Sequence, residues 1–137
     1  MDNITIDTDS NLTAQEVVKL RVASGWDGDI DEWQSCIMQC LVAVSARNTK
    51  NELVGVGFLS GNARHAEIVD LVVLPDYRQH GIGENILEEL IKRAKTEKIK
   101  YLSLTYDKKA PWLKDFYERH GFKSIDFAMW HEDSLHK

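Results

Sequence analysis

Four groups of residues in this chain have types and spacing suited to chemistry. The first is Arg78-Gln79-His80-Gly81-Ile82-Gly83-Glu84, which follows the apolar run Leu71-Val72-Val73-Leu74 and Pro75. A strand that stops at proline, a loop with two glycines and the start of a helix together make an anion site. The first turn of a helix has unpaired N–H groups and a positive dipole end, and glycine lets phosphate oxygens approach the backbone. Arg78 adds a formal charge. The same two glycines equally suit a tight turn and close packing of helix on sheet. No Gly-Lys-Ser/Thr follows, so this is not a Walker loop. The third glycine of a dinucleotide fingerprint is also missing.

The second group is Glu67 and Asp70, two carboxylates inside the apolar strand Ala66 to Leu74. A carboxylate in an apolar strand is costly unless it is paired or used, so each is a candidate general base. Strand alternation puts Glu67, Val69 and Leu71 on one face and Asp70 on the other, unless a bulge re-aims them. The third is Tyr117, whose phenol can donate a proton. It lies in the stripe Trp112, Leu113, Phe116 and Tyr117, which also suits plain core packing. The fourth is the acidic run Asp27-Gly28-Asp29-Ile30-Asp31-Glu32, with Trp26 beside it. Such carboxylates either cap a helix and favour its dipole, or steer a cationic ligand. Trp26 and Trp112 each flank a loop and are candidates to line a pocket. Cys36 and Cys40 share a helical face with no base signalled nearby. The five histidines lack metal-ligand spacing, so no metal is expected.

The elements that must carry these groups read as follows. Residues 3–7 alternate like a strand. Thr13-Ala14-Gln15-Glu16 is a capping-box pattern, and Val17, Leu20 and Val22 continue a helix to about Ala23. A second helix starts near Asp29 to Asp31, with Ile30, Trp33, Ile37, Cys40 and Leu41 at spacings of three and four. Strands follow at Leu41 to Ala46 and Leu53 to Leu59, separated by a turn at Asn48 to Asn51. Gly61-Asn62 turns the chain into the strand Ala66 to Leu74. Residues 82–95 carry the clearest helical stripe: Ile82, Ile86, Leu87, Leu90, Ile91 and Ala94. Ile99 to Tyr106 is another strand. Pro111 opens a helix to His120 that Gly121 ends, and Phe122 to Trp130 is a last strand. The order β-α-α-β-β-β-α-β-α-β is a mixed α/β (α+β) sheet protein, with residues 1–137 as one domain.

Arg78-x-x-Gly81-x-Gly83 after Leu-Val-Val-Leu-Pro-Asp-Tyr resembles the acetyl-CoA-binding motif of the GNAT superfamily of N-acetyltransferases. A second segment, Phe116-Tyr117-Glu118-Arg119-His120-Gly121-Phe122, is similar to that family's Tyr-Glu-x-x-Gly-Phe signature. The resemblance covers essentially the whole chain. It implies a largely antiparallel sheet that splays near Leu71 to Leu74. It also implies that the CoA pyrophosphate sits on the loop Arg78, Gln79, His80, Gly81, Ile82, Gly83 and Glu84. The family commonly has Gly and Lys-like residues where this chain has Gln79 and His80, a change that backbone contacts tolerate. The pantetheine arm would pair with Leu71, Val72 and Val73, and the Leu71 amide would face the acetyl carbonyl, where an N–H stabilises the developing oxyanion. Tyr117 would protonate the CoA thiolate. Glu67 matches the base of the histone-acetylating branch, and Asp70 the acid that other members place slightly later.

Composition sets the outer limits. Of 137 residues, 43% are apolar and 28% charged, which excludes general disorder. The net charge is −5, against a whole-domain nucleic-acid binder. Residues 1–60 hold four basic and nine acidic side chains, so the whole excess lies there. No run is long enough to span a bilayer and no secretory start is seen, so a cytoplasmic protein is expected. The expectation is acetyl transfer from acetyl-CoA to a primary amine, by direct attack in a ternary complex. The acceptor would be a small cationic amine received by Trp26, Asp27, Asp29 and Glu32. A non-catalytic acyl-CoA sensor, or an acetyltransferase acting on protein lysines or N-termini, are the alternatives. No nucleic-acid or membrane partner is expected, and a homodimer is in keeping with the family.

Overall fold

Thr13 and Glu16 form a reciprocal cap. Glu16 N–H donates to Thr13 Oγ1 (3.2 Å) and Thr13 N–H to Glu16 Oε2 (3.0 Å). This starts α1, Ala14–Ala23; a cap of this kind contributes about 1 kcal/mol. Asp29 caps α2, Ile30–Gln39, by accepting the Glu32 N–H (3.1 Å). In the computed structural model, which describes residues 3–106 and 110–125, the remaining elements follow in the expected order. They are β1 Thr5–Thr8, β2 Val42–Arg47, β3 Leu53–Gly61, β4 His65–Val73, α3 Ile82–Thr96, β5 Tyr101–Leu104 and α4 Trp112–Glu118. The chain divides into two compact units, Met1–Thr105 and Tyr106–Lys137. Among the described residues no helix is long and apolar enough to cross a membrane.

The first unit is a sheet in the order β1-β2-β3-β4-β5. All neighbours are antiparallel except β4 and β5, which run parallel. Central β3 is buried from Val54 to Leu59. Its alternate residues face two helical layers. Val56 and Phe58 join Val17, Leu20, Trp33 and Val72 in a core under α1 and α2. Gly55 and Gly57 face α3, where a Cβ on Gly57 would lie 2.9 Å from Ile86 Cγ2 and Leu90 Cδ1. A polar cluster ties the sheet's other edge to α1. Arg47 bonds Asp9 Oδ2 (2.9 Å) and Glu16 Oε1 (2.7 Å), and Ser45 donates to Asp9.

β4 is the irregular strand. Phe58 pairs with Val69 and Val56 with Val72, so Gly57 alone opposes two residues, Asp70 and Leu71. This is a bulge, and Asp70 takes φ +55° to make it. Past it the alternation resets: Val72 joins the α1/α2 core, while Leu71 approaches Gly57 on the α3 side. Leu71 is therefore not on the face of Glu67 and Val69, as strict alternation requires. Asp70 turns to the α1/α2 side instead.

Two further expectations change. Val22 and Ile30, read as apolar-stripe residues, are 59% and 45% exposed. Arg21, a charge beside that stripe, is buried instead. Of the expected strand Phe122 to Trp130, residues 122–125 are not extended strand, and residues 126–130 lie outside the described residues.

Gly57 thus has to be small for α3 to lie on the bulged strand. Gly57→Ala is expected to lower the unfolding free energy by about 1–3 kcal/mol, read as a lower urea midpoint at unchanged m-value. An unchanged midpoint refutes the close contact.

Candidate functional site

The slot begins where β5 stops. β5 pairs with β4 only from His65↔Tyr101 to Ile68↔Leu104. From Val69 to Val73 that edge of β4 has no strand beside it among the described residues. The backbone direction along this stretch is fixed by Leu74 N–H, which donates to Val54 O (2.9 Å) on the β3 side. Backbone groups alternate along a strand, so Val73 and Leu71 present theirs to the open edge. Val73 O there accepts a hydrogen bond from Arg78 Nε (3.0 Å). Val72 points its peptide at β3 and its side chain into the core, so Leu71 and Val73 are the ones that offer main chain to the slot.

The chain then crosses a short 3-10 turn, Pro75–Tyr77, into the glycine loop. Gln79 and Gly81 both have left-handed backbones, φ +66° and +79°. For glutamine this costs about 1 kcal/mol; for glycine it costs little. Gly81 is the N-cap of α3 and brings no capping side chain, while its carbonyl accepts the Asn85 N–H (3.0 Å). The first-turn N–H groups of Ile82, Gly83 and Glu84 follow directly. The Ile82 side chain is buried, so the loop offers its backbone and not that side chain. Gly83 sits over β4, where a Cβ would meet Val73 Cγ2 at 3.7 Å. Arg78, Gln79, His80 and Gly81 are exposed. This arrangement can hold an anion at the helix start and an extended polar chain along the strand edge.

The two carboxylates of β4 differ in their surroundings. Asp70 Oδ1 accepts from Arg21 Nη1 (3.2 Å). Glu67 is half-buried between Ser60 of β3 and Ser103 of β5, with no ion-pair partner among the described residues. Both lie on the α1/α2 side, which alternation alone did not predict. Arg21 also donates to the loop that carries the acidic run: Nε to Asp27 O (2.9 Å) and Nη2 to Asp27 Oδ1 (2.9 Å). Trp26 is 58% exposed beside it. Asp29 is spent on the α2 cap, and Glu32 supplies the N–H it accepts. Sequence reasoning missed Arg21 altogether. Its partners lie six and forty-nine positions away, and no local pattern marks it.

The charges of Glu32, Asp70 and Arg21 all act on the Cys36 thiol. Burial and then the two carboxylates push its thiol up, against Arg21. Burial likewise raises Cys40. Protonated thiols are poor nucleophiles. Two clefts lie elsewhere on the first unit. One, of about 350 Å³, is lined by Asp9, Glu16, Ser45 and Arg47, whose charges already satisfy one another. The other, of about 410 Å³, lies between α1 and Tyr77. None of the candidate catalytic, cofactor-binding or acceptor-binding residues lines either cleft.

The second unit carries Tyr117 on α4. Its ring lies against Tyr106 (6.0 Å between centroids), Phe116 (5.2 Å) and Phe122 (6.2 Å). Gly121, at φ +90°, ends the segment, and Phe122 N–H returns to Tyr117 O (3.2 Å). Burial raises the Tyr117 phenol above its ordinary value. Trp112, on the same helix, is 68% exposed.

Comparison with known proteins gives the same answer at three levels. The family described as the acetyltransferase (GNAT) domain matches residues 37–124. An uncharacterized N-acetyltransferase from Gracilaria tenuistipitata var. liui is 26% identical over 125 residues, 88% of this chain and 67% of that protein. A GNAT family acetyltransferase from Streptococcus pneumoniae superposes with a TM-score of 0.80 at 24% identity, over 95% of this chain and 98% of its own. AAC(6')-Iy, solved with the bisubstrate analog CoA-S-monomethyl-acetylneamine, superposes with a TM-score of 0.77 at 11% identity, over 95% and 97%. The two structural likenesses concern the fold.

The Tyr117 environment has a direct readout. Burial disfavours the phenolate, so the proton is kept throughout the neutral range and is lost only as pH rises past the raised value. Ultraviolet difference titration of wild type against Tyr117→Phe is expected to show Tyr117 ionising above about pH 10, the ordinary tyrosine value. A transition at or below that pH refutes the buried setting.

Proposed function

Because the chain belongs to the GNAT acetyltransferase family, we propose that it transfers acetyl from acetyl-CoA to a primary amine by direct attack in a ternary complex. The observation that carries this reading is the half-open β4 edge running into the uncapped start of α3. An extended pantetheine arm suits the first and a pyrophosphate the second. The backbone of the loop Arg78 to Glu84 holds the phosphates, with the helix dipole favouring their charge. Leu71 and Val73 hold the arm. The Leu71 N–H faces the thioester carbonyl and stabilises the oxyanion that forms on attack.

Glu67 is the general base in this reading. Its carboxylate takes the proton from the acceptor ammonium, directly or through water, and the free amine attacks the carbonyl carbon. The tetrahedral intermediate expels the CoA thiolate, which takes the Tyr117 proton, and the amide nitrogen gives up its second proton, which by way of water restores the Tyr117 phenol. Tyr117 is assigned that step by its place in the Tyr117-Glu118-x-x-Gly121-Phe122 motif, and its raised, protonated phenol supports it. Asp70 is the weaker candidate base, since one of its oxygens is engaged by Arg21.

The acceptor is a small cationic amine. Trp26, Asp27 and Glu32 lie on the α1/α2 side with Glu67, and their charge suits an ammonium group. The bisubstrate analog bound by AAC(6')-Iy, which carries CoA and acetylneamine in one molecule, supports the choice of a small acceptor.

The test is amine-dependent thiol release from acetyl-CoA over polyamines, aminosugars, amino acids and a basic peptide. Turnover with small cations supports the reading, and turnover with the peptide alone shifts it to protein acetylation. Acetyl-CoA binding without turnover on any amine points to a sensor. Glu67→Gln is expected to lower kcat about 10²-fold at neutral pH, with little change in acetyl-CoA affinity. An unchanged pH–rate profile removes Glu67 from the mechanism.

A further inference from the structure

Arg21 is the most enclosed charge in the first unit whose bonds lead to the proposed acceptor side. Its side chain is 9% exposed. Burying a guanidinium is expensive unless its N–H groups and faces are engaged, and here both are. The edges go to Asp27 O, Asp27 Oδ1 and Asp70 Oδ1. One face lies 4.9 Å from the Trp33 ring and the group is 5.9 Å from the Trp26 ring. Trp33 in turn packs on Phe58 at 5.3 Å. A column therefore runs from the sheet core, Phe58 to Trp33 to Arg21, out to the exposed Trp26.

Two observations give this column more than a packing role. The Asp27 side chain is 85% exposed, so burial does not hold it in place, and the paired bonds to Arg21 help to. The turn is pinned at its flanks as well. Trp26 N–H donates to Arg21 O (2.8 Å), and a Cβ on Gly28 would lie 2.8 Å from Val18 Cγ1. At the other end Asp70 is the bulge residue with the left-handed backbone, a conformation that costs energy for any non-glycine residue. One planar group thus ties the α1–α2 turn to the irregular point of β4. Its single positive charge meets Asp27 and Asp70 directly, and Glu32, in the first turn of α2, adds a further carboxylate. The balance on this side stays negative.

We propose that Arg21 is a positioning residue for the acceptor amine, fastening the Trp26–Asp27 turn to the Asp70 bulge so that these residues form one cation-receiving rim. The acceptor role rests on the acetyl-transfer reading above; the latch itself does not. Lysine is a poor substitute, because it has neither the fork that engages two partners at once nor the plane that stacks between indoles.

Two readouts on Arg21→Lys and Asp27→Ala separate these claims. The first is amide hydrogen exchange, which needs no turnover. Residues 24–29 are expected to exchange about tenfold faster in both variants, with α3 unchanged. The second is kinetics with spermidine as the probe amine. KM for spermidine is expected to rise about tenfold while KM for acetyl-CoA stays within about twofold. If Arg21→Lys fails to fold, Asp27→Ala carries the exchange measurement and Arg21→Gln the kinetics, since removing Asp27 also removes a charge of the rim itself. Unchanged exchange overturns the latch. Faster exchange with unchanged KM reduces Arg21 to a structural residue and overturns its acceptor role. A wild-type protein inactive on spermidine and on every other amine tried sinks the acetyl-transfer reading, and the acceptor role with it, while exchange still decides the latch.

Discussion

The bulge at Asp70 and Leu71 is the constraint on which the first unit turns. β4 has to satisfy β3 along one edge from Ala66 to Val73 and yet part from β5 after Ile68. A regular strand would keep both neighbours. One extra residue opposite Gly57 bends and twists the strand locally, and it resets which side chains face which helices. The same insertion brings Asp70 round to Arg21 and sends Leu71 toward α3. Opening of the sheet and placement of the carboxylates therefore have one cause. Gly57 is its counterpart across the ladder, because a side chain there would collide with Ile86, Leu90 and Leu71.

Charge on the α1/α2 side is organised differently from charge at the far edge. Arg47 is enclosed by Asp9 and Glu16, and the hydrogen bonds it donates help keep both carboxyls below their usual range. That cluster closes on itself and joins β2 to α1. The carboxylate partners of Arg21, Asp27 and Asp70, lie instead on an exposed turn and at the bulge of β4. A closed cluster contributes mainly stability, whereas an open one of this kind transmits position. It fixes where an exposed turn lies relative to a strand.

Much of the architecture was legible because its determinants are local. Thr13 and Glu16 are three apart and cap one helix; Asp29 does the same for the next. Gly61-Asn62 marks a hairpin, and the apolar stripe of α3 falls almost entirely in the core. Gly81 announced a helix start, and it is one. What stayed hidden depends on distant partners. The bulge needs Gly57 on another strand, and alternation within β4 cannot reveal it. Val22 reads as apolar stripe, and nothing local marks its neighbour Arg21. The structure buries Arg21, which finds two carboxylates and two indoles, and leaves Val22 59% exposed. The acidic run looked like one feature and is two: Asp29 belongs to a helix cap, and Asp27 to Arg21.

The edge of β4 that no described strand accompanies also bears on how this protein avoids its own kind. Free backbone along a strand is a template for any other extended chain, including a misfolded copy. Here the exposed stretch is short, from Val69 to Val73, and bent by the bulge at its start. At its end the carbonyl of Val73 is already taken by the Arg78 side chain, a cation placed at the edge. A foreign strand would meet curvature first and a charge last, and would find few consecutive groups in register. A flexible arm with a few amides and an anionic tail meets no such obstacle. On the acetyl-transfer reading, access to this opening is filtered by shape and charge before any chemistry takes place, and the same few backbone atoms serve both ends.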